Sequence, residues 1–289
     1  MNHSTTGSKS ERAPRPIPVR RPDFQFDRVD PGAGRYWFGG DAFLTHLLHA
    51  LSLTFPEGER FFMEAVRHYA PRIESATLRH EVSRFLAQEG MHGRAHDAFN
   101  AWIRALGNDT AWIEQNVKED LARTRRYRRP RERLAVTCAL EHFTAILAEL
   151  LLENEKLRLA MEPEVRRLWT WHAIEETEHK AVAFDTYLAV GGTYRMRVAT
   201  MLVTTVLFLS HVLRYQARLM RADGGAGGTR AILRGWMRMW ITPGVLRPVI
   251  PAYLDYFRPA FHPWSRKTSP TFDALRRAID GAVAEAAPS

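Results

Sequence analysis

The 289-residue sequence predicts an all-α fold, a four-helix bundle with additional C-terminal helices. Three observations lead there. Strand-like alternation is scarce, while long stretches repeat apolar residues at helical spacing. Proline and glycine bound those stretches rather than interrupt them. The chain is also long enough to bury a sizeable core.

Each element carries its own signals. A short helix is expected after Asp41, running through Leu53. Pro56 suits the first turn of the next helix, which ends near Pro71. Ser75 caps a long helix that reaches Leu106 and stops at Gly107 and Asn108. Arg123 to Arg133, seven arginines in eleven residues, reads as a solvated connection. A third long helix runs from about Arg131 to Leu159, and Pro163 opens a fourth that ends at Gly191 and Gly192. Three sections follow: a polar, disordered N-terminal tail over 1–34 with no secretory signal, the bundle over 35–192, and a helical extension over 193–289 packed on it.

Within that extension, Val198 to Leu213 is nearly all apolar and is flanked by Arg195, Arg197 and Arg214. The run is shorter than the roughly 20 residues a membrane span needs. It is expected to be a buried fifth helix or a helix that docks peripherally on a membrane. A glycine-rich break follows from Gly224 to Gly228.

Composition narrows the chemistry. With Cys138 as the one cysteine, neither a disulfide nor a thiolate metal site can form within the chain, which fits a reducing, cytoplasmic compartment. Any metal must be held by oxygen and imidazole, and twelve histidines make that feasible. The net charge of +9 favours anionic contacts. No nucleic-acid motif accompanies it, so no nucleic-acid partner is expected.

Two Glu-x-x-His pairs stand on predicted helices, Glu89 with His92 and Glu176 with His179. Residues three apart share a helix face, so each pair presents an oxygen and a nitrogen to one ion. The surrounding stripes are apolar: Val82, Phe85, Phe99 and Ile103 around the first, Trp169, Ala183 and Tyr187 around the second. A carboxylate on a buried face is costly without a cation, and few basic residues share these stripes. Glu59 and Glu141 sit in similar stripes, each on the helix before a Glu-x-x-His helix. Four carboxylates and two imidazoles suffice for two bridged divalent ions. Glu175, four residues before His179, is the alternative to Glu176 should the register differ.

The order Glu, Glu-x-x-His, Glu, Glu-x-x-His resembles the ferritin-like dinuclear carboxylate superfamily. More closely, Gln88 to Asn100, His172 to Asp185 and the segment Tyr256 to Trp264 resemble a bacterial family of predicted metal-dependent hydrolases, over roughly residues 35–280. The resemblance implies a ferritin-like bundle around Glu59, Glu89, His92, Glu141, Glu176 and His179. His172, one turn before Glu176, resembles the additional metal ligand of the three-histidine arylamine N-oxygenases, and is expected on the same ion as His179. His96, one turn after His92, is expected to orient a ligating group.

Two divalent ions are thus expected, iron first, with manganese or zinc as alternatives. The leading expectation for function is dioxygen activation to oxidise a small organic substrate. Metal-dependent hydrolysis through a metal-activated water and non-catalytic metal binding are the alternatives. A homodimer is the other candidate assembly.

Overall fold

The computed structural model describes residues 15–224 and 228–285. Thirteen α-helices are found among them: α1 (Pro31–Arg35), α2 (Ala42–Ser52), α3 (Phe55–Arg67), α4 (Ala76–Ala105), α5 (Ala111–Tyr127), α6 (Pro130–Glu153), α7 (Glu155–Leu159), α8 (Pro163–His179), α9 (Val182–Ala189), α10 (Tyr194–Ala222), α11 (Thr229–Trp240), α12 (Val249–Asp255) and α13 (Pro270–Glu285). No strand occurs among the described residues, so the protein is all-α.

Local chemistry explains the main boundaries. Asp41 accepts a hydrogen bond from the Leu44 amide and Ser75 from the Leu78 amide, satisfying donors that a helix start leaves orphaned. Pro130 and Pro163 occupy first turns, where a missing N–H costs nothing. Gly107 turns the chain out of α4 with a φ of 90°, a conformation that favours glycine.

Helices α3, α4, α6 and α8 form the central bundle. Contacts join α3 to α4 and α6, and α8 to α4 and α6. The apolar core is divided along the bundle. One cluster gathers Phe99, Ile103, Leu168 and Trp171. Another gathers Phe61, Phe85, Leu134 and Tyr187. Between these two apolar layers, α4 and α8 carry their Glu-x-x-His residues.

The structure differs from the sequence reading at five places. The third long helix stops at Glu153, where Asn154 accepts from the Leu157 amide and caps the separate α7, and the fourth is broken between His179 and Val182 into α8 and α9. The arginine-rich stretch is not all connection: Arg123 to Tyr127 closes α5, which is anchored by buried Ile113 and Val117. Val198 to Leu213 belongs to the much longer α10, whose buried face packs on α2 and α6. By length and composition α6 and α10 could each cross a membrane; α6 is mostly buried in the bundle, whereas α10 is mostly exposed. The tail expected over 1–34 is ordered where it is described. Residues 1–14 lie outside the described residues, but from Arg15 onward the chain lies against the bundle, burying Ile17, Arg20, Phe26 and Val29. Three apolar anchors and two buried carboxylates waiting for Arg20 outweigh the polar composition.

Candidate metal centre

Glu59 comes from α3, Glu89 and His92 from α4, Glu141 from α6, and His172, Glu176 and His179 from α8. All seven are buried, none more than 4% exposed. Their ligand atoms fall into three overlapping groups able to hold a cation: Glu59 with His92 and His172, Glu89 with His92 and Glu176, and Glu89 with Glu141 and His179. Glu89 therefore belongs to both sides, and Glu176 approaches both, 3.6 Å from His92 Nδ1 and 3.5 Å from His179 Nε2. Gly93 makes room for this convergence, because a Cβ there would come within 3.3 Å of Glu59 Oε2.

His172 and His179 separate, contrary to the expectation that one ion would take both. His172 groups with Glu59 and His92, whereas His179 groups with Glu89 and Glu141. Both residues project from α8, but seven positions apart, so they reach opposite sides of Glu176.

Each imidazole has its proton placed by an outer partner, as the surrounding hydrogen bonds assign it. Gln88 donates to Glu178 and to the Pro18 carbonyl, so its oxygen accepts from His179 Nδ1 at 3.0 Å. That leaves His179 Nε2 bare, 3.2 Å from Glu89 Oε1 and 3.7 Å from Glu141 Oε2. His92 Nε2 donates to Glu175 at 3.1 Å, turning bare Nδ1 towards Glu176. A third chain starts at Ser52, whose hydroxyl donates to Asn100 and accepts from His96 Nδ1. His96 Nε2 then accepts from His172 Nδ1 at 2.6 Å, leaving His172 Nε2 facing Glu176 Oε1 at 2.9 Å.

Three nitrogen lone pairs thus face carboxylate oxygens. Such an arrangement is repulsive unless a proton or a cation lies between. Both oxygens of Glu59, Glu89 and Glu141 lack any hydrogen-bond partner, as do His92 Nδ1, Glu176 Oε2 and His179 Nε2. Buried polar groups are ordinarily satisfied, so this concentration of bare donors fits a pair of cations.

With that geometry in view, comparison with known proteins decides the family. The sequence profile of the family described as predicted metal-dependent hydrolase matches residues 18–267. The chain belongs to that family. No curated protein and no solved structure matches it. The match begins at Pro18 and so takes in the ordered N-terminal segment that contains Arg20.

Arg20 is the residue that sequence reasoning missed. Its guanidinium is buried and holds Glu178 through two nitrogens at 2.8 Å, Glu175 at 3.1 Å and Asp280 at 2.7 Å. Glu175 and Glu178 do not point into the metal centre. They pass Arg20's charge inward, Glu175 to His92 and Glu178 through Gln88 to His179. Two acids beside the ligands with no basic partner on their own helix were the available signal. His142, in contrast, turns away and donates to the Ala252 carbonyl.

Burial dominates the electrostatics. It pushes Glu59, Glu89 and Glu141 well above the usual carboxylate range, and neighbouring carboxylates push further: Glu176 on Glu59 and Glu141, Glu141 on Glu89. Burial also opposes ionisation of Glu176, but with a proton in place of the cation between it and the imidazoles, His179 and His172 hold it well below the ordinary value. His92 and His96 are kept neutral, chiefly by burial. Glu175 is raised to about 7 by burial despite Arg20.

The sign of the pH dependence follows. In the metal-free centre the three raised carboxyls hold protons that a cation must displace, so apparent metal affinity falls as pH falls. The fall should begin well above the ~4.3 of a free glutamate. Calorimetric titration in two buffers of different ionisation enthalpy should register proton release on binding, and none would contradict the assignment.

Proposed function

We propose that the chain is a dinuclear metal-dependent hydrolase whose substrate carries an extended apolar portion. One observation carries this: an apolar cavity reaches the metal centre at two of its carboxylates. The cavity has a volume of about 710 Å³ and is walled by α3, α5, α6 and α10, including Phe62, Leu140, Val203 and Phe208. Glu59 and Glu176 are also part of its lining, whereas Arg123 and Arg128 stand at its exposed end. Most ligand sites share this character, an apolar recess with a few convergent polar groups.

In this reading Glu59, His92 and His172 would hold one divalent ion and Glu141 and His179 the other, with Glu89 and Glu176 within reach of both. Bound there, two ions would lower the pKa of a water and polarise a substrate oxygen. The chain supplies the rest. Outer partners fix the three imidazoles, the apolar layers exclude bulk water, and the cavity presents the substrate's polar group to the Glu59 and Glu176 edge.

Dioxygen activation at a di-iron centre is the second reading. The donor set favours it, since four carboxylates and three imidazoles suit ferrous iron and manganese. The family description supports hydrolysis instead. Protein prepared without oxygen and loaded in turn with Fe(II), Mn(II) and Zn(II) separates the two. Ester cleavage that needs metal but not air is expected. An air-dependent visible absorption with oxidation of the added compound and no cleavage would favour the second reading.

The cavity makes a further expectation. Val136 belongs to its wall. Val136→Trp should reduce turnover of long-chain p-nitrophenyl esters by about 10-fold or more, the scale on which a filled pocket discriminates. Turnover of the acetate ester should change far less. Equal losses on both would indicate that the cavity is not the substrate route.

A further inference from the structure

We infer that the face formed by α10 and α11 docks on an anionic lipid membrane. Among the described residues nineteen large apolar side chains are exposed, and fifteen of them fall between Tyr194 and Leu254. Such concentration is not the scattered exposure of an ordinary soluble surface. On α10 it comprises Leu202, Val203, Val206, Leu207, Leu209 and Leu213, with no charged residue from Val198 to Leu213.

Helix α11 is built for an interface. At 3.6 residues per turn, Ile232, Leu233, Trp236, Met237 and Trp240 share one side, and Arg230, Arg234 and Arg238 share another. The helix is held to the protein through buried Gly235 and Met239, with the Trp236 ring edge-on to Phe43 and Arg238 paired to Asp41, while Ile232, Leu233, Met237 and Trp240 stay exposed. Gly235 lies so close to the Phe43 ring that a Cβ would overlap it. Its apolar side consequently faces outward, with indoles at positions suited to a headgroup boundary.

Charge selects the occupant. Residues 194–258 contain ten arginines, two aspartates and no lysine or glutamate. Arg197 is buried and Arg218 and Arg238 are met by Asp109 and Asp41, while Arg195, Arg221, Arg230 and Arg234 are exposed and leave the face basic. A second copy applied to this face would bring like charges together. An anionic bilayer offers both the apolar depth and the opposite charge. Val203 and Leu207 belong to this exposed strip and also to the cavity wall. A substrate would therefore enter from the lipid side, a consequence that rests on reading the cavity as the substrate route. Docking itself does not depend on that reading.

The test is sedimentation of the full chain with phosphatidylcholine vesicles, with and without phosphatidylglycerol. Wild type should sediment with the anionic vesicles, shift its tryptophan emission to the blue, and release at high salt. Arg230→Glu with Arg234→Glu, and separately Trp236→Ser with Trp240→Ser, should each weaken partition by about tenfold or more. Metal content and helical circular dichroism, unchanged in both, establish that the variants fold. Absence of binding, equal binding to both vesicle types, or variants that bind as wild type would overturn the inference. So would a stable lipid-free dimer that both variants dissolve, which would give the face to a second copy. Ester hydrolysis is not read, so failure here leaves the hydrolase proposal standing.

Discussion

A His179→Ala variant is expected to retain one metal ion where the wild type binds two, and to lose turnover. His179 Nε2 is the one imidazole nitrogen grouped with Glu89 and Glu141. Without it that side keeps carboxylates alone, each costly to ionise in a buried setting. The loss should exceed the roughly 10–100-fold in affinity that removing an outer partner produces. His172→Ala provides the comparison. It leaves Glu59, His92, Glu89 and Glu176 around its ion, so two metals should remain bound, the ion beside Glu59 more weakly. Metal per chain, measured by mass spectrometry after dialysis, reads both variants. If His172→Ala matches the wild type in metal content, affinity and activity, His172 is a core histidine bonded to Glu176. If His179→Ala keeps two ions, the grouping of ligands is wrong.

Arg20→Met should be the most destabilising change outside the ligands. It strands Glu175 and Glu178, both buried, without the charge that meets them. Breaking a buried ion pair by removing one partner typically costs about 3–5 kcal/mol. Metal affinity should also fall about 10–100-fold, because Glu175 orients His92 and Glu178 acts on His179 through Gln88. Arg20→Lys should rescue little, since a single ammonium cannot reproduce the two-nitrogen grip on Glu178. Adding Glu178→Gln to Arg20→Met should restore part of the stability by removing one stranded charge. Denaturant midpoints and metal titrations on the three variants check this. An Arg20→Met protein as stable as wild type would show that the buried network does not hold the centre together.

Legibility in the sequence followed the range of the interactions. The ligand helices were readable because helical period places Glu89 beside His92 and Glu176 beside His179 without any tertiary information. Glu59 and Glu141 were readable as lone acids in apolar stripes. Caps at Asp41 and Ser75 were readable because they act within one turn. The partition of His172 and His179 was not, since it depends on which neighbouring helix each nitrogen meets. Arg20 was hidden for a similar reason. Its partners lie 155, 158 and 260 residues away, and its own surroundings, rich in proline and arginine, look like solvated chain. Helix α5 was obscured by arginines that decorate its last turns while Ile113 and Val117 anchor its first ones. In α10 the apolar run alone underestimated the helix, which extends beyond it at both ends through residues that bond to distant segments, Arg197 to the Arg258 carbonyl and Gln216 to the Phe43 carbonyl of α2.

If the seven side chains hold a pair of cations, anomalous diffraction from crystals grown with Mn(II) will locate both. Two peaks are predicted, roughly 3.5–4 Å apart, one beside Glu59, His92 and His172, the other beside Glu141 and His179, with Glu89 and Glu176 between them. A single peak, or peaks only at surface carboxylates while the seven residues remain unoccupied, would contradict the account.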